Sequence, residues 1–382
     1  MSNSLNINTR FFIFSIVFKG FLHKFLFLAH KLPIFVAQTN PFFHMKETLA
    51  SIAARIGVSA TTISRVLSGK TEKYRISPAT AERVLVEVQK CNYTPSALAQ
   101  SLRKNKTYTI GLVLPTIANP YFADMASAII SEARDKNYTT IIVDSMEDEV
   151  NQRQALTTLL ARKVDGIIAA PCGSDPRFFE EIRKSVPLVL VDRYFENSRI
   201  PYVSANNYRG AFEATELLAQ NGHRNIACIQ GDIDSVPNKA RVKGYRDALK
   251  KYGLGENAIV VGESFSFQNG YLETKLLLSR AQRPTAIFAL SFTILLGVLK
   301  AIRDSRLSIP EDISILSFDD QVSLDYMIPP MTRVSQPVEE MGRLASKLLF
   351  DYIERKSDSI TQLALSTTII AKSSVAPVSS SI

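Results

Sequence analysis

The sequence predicts two unlike parts: an all-α helix-turn-helix headpiece, then an α/β core of two doubly wound parallel-sheet subdomains. Three observations carry this. Thr48–Ser68 reads as two short amphipathic helices about a glycine. From Tyr108 onward, apolar runs of five to eight residues alternate with helical stretches, as parallel strands covered on both faces do. Charge is also segregated. Residues 45–107 hold eleven Lys or Arg against four Glu and residues 1–44 hold four against no acid, whereas the rest of this +9 chain sums to −2.

Residues 1–44 contain the apolar run Phe11–Phe18 (FFIFSIVF), and Lys19, Lys24 and Lys31 interrupt the apolar residues after it. No uncharged run reaches the ~20 residues that a bilayer span needs. A signal peptide or membrane anchor is one use of such a composition. The basic module directly behind it favours another: translation from Met45, in a chain that stays in the cytoplasm. Cys91, Cys172 and Cys228 lie far apart without CxxC spacing, which suits a reducing compartment and argues against disulfides and structural zinc.

The headpiece is expected over 45–94. Leu49, Ile52, Ala53 and Ile56 fall on one helical face; Gly57 breaks the helix, Val58 fills the corner and Ser59 caps a second helix. There Ile63, Val66 and Leu67 face inward, leaving Thr61, Thr62 and Arg65 on a polar face. Two such helices around a tight glycine turn are the unit whose second helix enters the DNA major groove. A basic loop comes next, Gly69–Arg75, with Lys70, Lys73 and Arg75 as candidate phosphate contacts. Ser77-Pro78 then opens a third helix to about Lys90, with Ala81, Val84, Leu85 and Val88 closing a small core. Residues 95–107 read as a short helix and a basic linker.

Over 108–376 two series of alternating strands and helices are expected. One spans about 108–206 and is completed by 336–364; the other spans about 207–335 and is completed by 365–376. A cleft should separate them, and 377–382 is a tail. The sequence carries no GxGxxG after a strand, no Walker loop, no GxSxG and no HExxH, and three of its four histidines lie before residue 45. An enzyme is not expected, nor is a cofactor or a metal.

Residues 45–376 as a whole resemble the LacI/GalR family of bacterial transcriptional repressors. The resemblance rests on LASIAARIGVSATTISRVLSG, NYTPSALAQSLR, TIGLVLPTIANPYF, VDGIIAAP, LVLVDR, GHRNIACIQG, RVKGYRDAL, IPEDISILSFDD and PPMTRVSQP, in that order. It implies a DNA-binding headpiece, a hinge helix and a core resembling periplasmic sugar-binding proteins. It also implies a homodimer on a pseudo-palindromic DNA operator, controlled by a sugar, sugar acid or sugar phosphate, with no membrane partner. With no heptad segment near the C-terminus, a dimer is expected and not a tetramer.

By resemblance, Ala60, Thr61 and Arg65 reach base edges. Arginine suits guanine O6/N7, and an Ala or Thr methyl suits the thymine methyl. Thr48, Ser59, Thr62, Ser64 and Tyr93 are then phosphate or capping residues. Leu102, with Ala99 and Arg103 beside it, is the minor-groove wedge of the hinge helix. The effector site collects Tyr121, Phe122, Arg193, Arg241, Phe265, Ser291, Phe292 and Asp319. Sugar-binding members carry an acid where this chain reads Ser291-Phe292. The expectation is therefore an apolar wall from Phe292 and two cationic groups, Arg193 and Arg241, that favour a carboxylate- or phosphate-bearing ligand. Asp192 and Asp319 are the acids that would offset them. The alternatives are a membrane-tethered or exported sugar receptor and a sugar-modifying α/β enzyme. The +7 headpiece decides against both.

Overall fold

The computed structural model describes residues 47–91, 93, 106–356 and 359–378. The expected start at Met45, the leader 1–44 and the hinge residues Ala99, Leu102 and Arg103 lie outside the described residues. The chain divides into two compact units, Met1–Pro95 and Ser96–Ile382.

In the first unit, α1 (Leu49–Ile56) and α2 (Ala60–Leu67) meet at Gly57, whose φ of 67° lies in the left-handed region open to glycine. α3 (Pro78–Lys90) comes after a single 3-10 turn, Glu72–Tyr74, inside what the sequence shows only as a polar loop. Ile52, Ala53, Ile63, Val66 and Val84 form the buried core, flanked by half-buried Leu49, Ile56, Leu67, Ala81, Val88 and Tyr93. Leu85 was expected in this core and is 52% exposed. Val84 takes the inward position; the packed face runs through 81, 84, 88 and Cys91, which leaves residue 85 at its solvent-facing edge.

The second unit holds two six-stranded sheets. The first contains β1 (Thr109–Leu114), β2 (Thr139–Asp144), β3 (Gly166–Ala169), β4 (Leu188–Val191), β5 (Tyr202–Ala205) and β11 (Gln362–Leu365), in the order β11-β5-β4-β3-β1-β2. The second contains β6 (Ile226–Ile229), β7 (Ile259–Val261), β8 (Ala286–Ala289), β9 (Ser314–Phe318), β10 (Thr332–Ser335) and β12 (Thr368–Ile370), in the order β12-β10-β9-β8-β6-β7. Apart from the last strand, the second order repeats the first with each number raised by five. All pairings are parallel except β10 with β12. LALSTTIIA, expected to complete both halves, holds two strands parted at Ser366-Thr367 and running into different sheets.

Helices cover both faces of each sheet, so β1, β3, β4, β6, β8 and β9 are buried almost throughout. On the first sheet, α4 (Pro120–Asp135) packs beside α11 (Val338–Ile353), which arrives from the far end of the chain. α5 (Glu149–Ala161) and α6 (Arg177–Arg183) cover its other face. On the second sheet, α7 (Asn207–Gln220) lies against α8 (Val236–Lys251) on one face, and α9 (Phe267–Leu278) against α10 (Phe292–Asp304) on the other. No helix among the described residues is long and apolar enough to cross a membrane.

Candidate effector site and DNA-reading surface

The carboxyl ends of the strands of both sheets meet around one cavity with about 350 Å³ of atom-free space, part of it open solvent. Ligands in open α/β sheets collect at such strand ends. Its lining includes Asn119, Tyr121, Phe122, Glu147, Asp192, Arg193, Ser235, Arg241, Phe265, Ser291 and Asp319. Of the residues expected here the structure brings together all but Phe292.

The two acids occupy matching places. Asp192 comes directly after β4 and Asp319 directly after β9, strands that hold the same position in their sheets, and both have left-handed φ, 63° and 78°. A non-glycine residue there is held by its surroundings against its backbone preference, and such residues concentrate at functional sites. Here the conformation turns each carboxylate off its strand end into the cavity lining. Asp192 accepts a hydrogen bond from the Tyr121 hydroxyl (2.7 Å), and Ser204 donates to its backbone carbonyl. Burial pushes the Asp192 carboxyl up from its ordinary value, although Arg241, Arg193 and Tyr121 pull it down. Burial, with the adjacent Asp192 charge, raises the Tyr121 phenol well above its usual range, so it remains a donor. Asp319 accepts from the Phe292 backbone N–H (3.0 Å) and from Gln336 Nε2 (2.7 Å).

The arginines are already engaged. Arg193 donates to both oxygens of Glu147, at 2.6 and 2.9 Å. Burial opposes its charge and the carboxylate outweighs burial, so its pKa is raised. Arg241 donates to Asn207 Oδ1 (2.7 Å) and to the Leu290 carbonyl (2.6 Å), with its guanidinium 3.8 Å from the centre of the Phe318 ring. The expectation of two cations in want of an anionic ligand is corrected at Arg193, which Glu147 already pairs. Arg241 places two of its N–H groups on neutral acceptors, with Asp192 and Asp319 lining the same cavity.

Phe122 is nearly fully buried and both packs in the first sheet's core and lines the cavity. Phe265 lies against Gly231, where any Cβ would come within 2.2 Å of its ring. Both rings lie under 6 Å from the Arg193 guanidinium. Ser291 caps α10, accepting from Ile294 N–H. The apolar wall expected of Phe292 is absent from the lining, because as first residue of α10 it turns into the second sheet's core. Asn119, Glu147 and Ser235 were not singled out by sequence reasoning. Asn119 was legible, since Asn before Pro opens α4 and caps Tyr121 N–H. Glu147 and Ser235 depend on long-range folding and had no local signal. The buried Ser235 hydroxyl has no hydrogen-bond partner among the described residues.

In the headpiece, Thr48 and Ser51 form a reciprocal capping box on α1. Ser59 caps α2 through Thr62 N–H (3.0 Å), and the two hydroxyls lie 2.9 Å apart. Ala60 and Thr61 are exposed, whereas Thr62, Ser64 and Arg65 are half-buried. Tyr93 packs at the margin of the small core, its N–H bonded to the Val88 carbonyl.

A basic helix-turn-helix module on the same chain as a two-sheet core with a polar cavity defines a ligand-responsive DNA-binding regulator. Residues 48–96 match the family described as bacterial regulatory proteins, lacI family, and residues 215–375 match the periplasmic binding protein-like domain. The ribose operon repressor of Haemophilus influenzae is 34% identical over 331 residues, covering 86% of this chain and 98% of that one. Catabolite control protein A of Priestia megaterium is 32% identical, covering 84% and 97%. Among solved structures, the Lac repressor dimer bound to operator and an anti-inducer superposes with TM-score 0.78 at 24% identity, covering 86% and 99%. A LacI family transcriptional regulator from Enterococcus faecium with bound ribose gives 0.65 at 28% identity, covering 71% and 99%. The chain belongs to the LacI family of bacterial transcriptional regulators.

Proposed function

We propose that this regulator is a repressor that binds a pseudo-palindromic operator as a homodimer and answers to a neutral pentose of the ribose class. The charge pairing of the cavity carries the choice of ligand. Arg193 is paired with Glu147 and Arg241 donates to Asn207 and the Leu290 carbonyl, while Asp192 and Asp319 line the same space. Three acids against two arginines leave the lining without a surplus of positive charge for a phosphate or carboxylate, and hydroxyl groups would find acceptors. The Ser235 hydroxyl, unpartnered among the described residues, and the faces of Phe122 and Phe265 suit a small ring with polar edges. Relatives named for the ribose operon and a ribose-bound neighbour support the same class. In the headpiece, Ala60, Thr61 and Arg65 take the base-reading role, and Thr48, Ser59, Thr62, Ser64 and Tyr93 fix phosphates or hold the caps.

Calorimetry of the full chain with D-ribose and with ribose 5-phosphate tests the ligand. Ribose should bind and, at a hundred times its Kd, stabilise the chain by about 2.7 kcal/mol. Tighter binding of the phosphate ester would reverse the proposal. The dimer is checked by sedimentation at micromolar concentration, where a stable tetramer counts against it.

A further inference from the structure

We infer that Tyr74 positions Arg65 for base reading: its ring supports one face of the guanidinium and leaves the donor edge free for a purine. The inference rests on the assignment of Arg65 as a base-reading residue. Arg65 stands in the last turn of α2 with its Cζ 3.9 Å from the centre of the Tyr74 ring. Tyr74 ends the 3-10 turn Glu72–Tyr74, and that turn is tied to the residue it serves. Lys70 N–H donates to the Arg65 carbonyl (3.0 Å), Tyr74 N–H donates to the Lys70 carbonyl (3.3 Å), and Ile76 N–H donates to the Thr71 carbonyl (2.9 Å). The ring is 41% exposed and takes no part in the headpiece core, so packing does not account for an aromatic residue here.

The manner of holding matters. Arg55, on α1, is gripped through its edge by the carboxylates of Glu47 and Glu87, which occupy the donors that a base would need. Among the described residues no carboxylate lies at ion-pair distance from Arg65. A ring under its face takes none of its five N–H groups, which lie in the guanidinium plane. A bidentate contact to guanine O6 and N7 uses that same plane. An arginine already confined loses less side-chain freedom when it binds, so the stack favours the bound geometry before contact.

The test uses the full chain, a duplex selected from a randomised pool by the wild-type protein, and a scrambled duplex of equal length. Tyr74→Ala should weaken binding to the selected duplex about two- to fivefold, the range of an exposed cation–π contact, and leave the scrambled duplex unaffected. Tyr74→Phe should bind as wild type does. In an Arg65→Ala background, Tyr74→Ala should have no further effect. Should the alanine variant melt early, Tyr74→Gln removes the ring face while keeping a long side chain. Equal losses on both duplexes, a full loss in Tyr74→Phe, or additive losses with Arg65→Ala would overturn the inference. If Arg65→Ala alone leaves selected-duplex binding intact, the base-reading assignment fails and the positioning role fails with it.

Discussion

Glu147 stands at φ 56°, next to Met146 at 55°, and this double left-handed turn sets its carboxylate across both terminal nitrogens of Arg193. The partners are separated by 46 residues in sequence. An arginine can be placed at a site by family resemblance, as Arg193 was, but whether it waits for a ligand or is already paired depends on a loop elsewhere. Asp192 offers a direct test of the site's electrostatics. Its folded pKa lies above its unfolded value, so the folded state binds more protons in between. Its unfavourable contribution is absent below the ordinary carboxylate pKa and grows as pH rises through the interval to the folded value. Asp192→Asn keeps an acceptor for the Tyr121 hydroxyl and removes the charge. Denaturation of the ligand-free chain from pH 4 to 7 should show the Asn variant gaining on wild type as pH rises, with ribose affinity reduced at neutral pH. A pH-independent gap would refute the assigned cause.

At the scale of elements, most of the fold was legible. Uninterrupted apolar runs such as Gly166–Ala169 and Leu188–Val191 are readable because a strand covered on both faces has no polar side to hide. The α1 and α2 caps were equally plain, since Thr48 and Ser59 act within three residues. Leu85 and Phe292 were misjudged because apolar character marks a residue for burial without saying on which side of a helix the core lies. The division of LALSTTIIA between the two halves was legible, and only its position, Ser366-Thr367, was set by the fold. What the sequence shows as ordinary glycines, Gly270 and Gly297, sit where α9 meets α10. A Cβ on Gly297 would lie 2.1 Å from the Phe267 carbonyl oxygen, and one on Gly270 2.1 Å from that of Ile294. Backbone atoms cannot give way as side chains do. Gly297→Ala should therefore lower stability by about 1–3 kcal/mol despite better helix propensity. Gly255→Ala, whose nearest neighbour would be at 3.5 Å, should be close to neutral in the same urea titrations.

On the scale of the whole molecule, function was legible from the separation of charge and texture: a basic helical start for DNA, and a near-neutral α/β core for a small ligand. The cavity's identity was only half legible, since its lining comes from strand ends spread between Asn119 and Asp319. The topology also decides when the molecule becomes foldable. The first sheet takes its edge strand from Gln362–Leu365, parallel to β5, and one of its covering helices from Val338–Ile353. On the ribosome, its first five strands are synthesised by Ala205, yet that half stays partly uncovered on one face and unpaired at one edge until residues 338–365 emerge. The second half waits likewise for Thr368–Ile370. A nascent chain halted after residue 330 should thus remain open to protease at both sheets, while one extended through residue 378 should become resistant in a single step. Resistance of the first half alone in the shorter chain would show that its late strand and helix are dispensable. The order of the strands in space makes the emergence of residues 338–370 the moment of commitment for both halves at once.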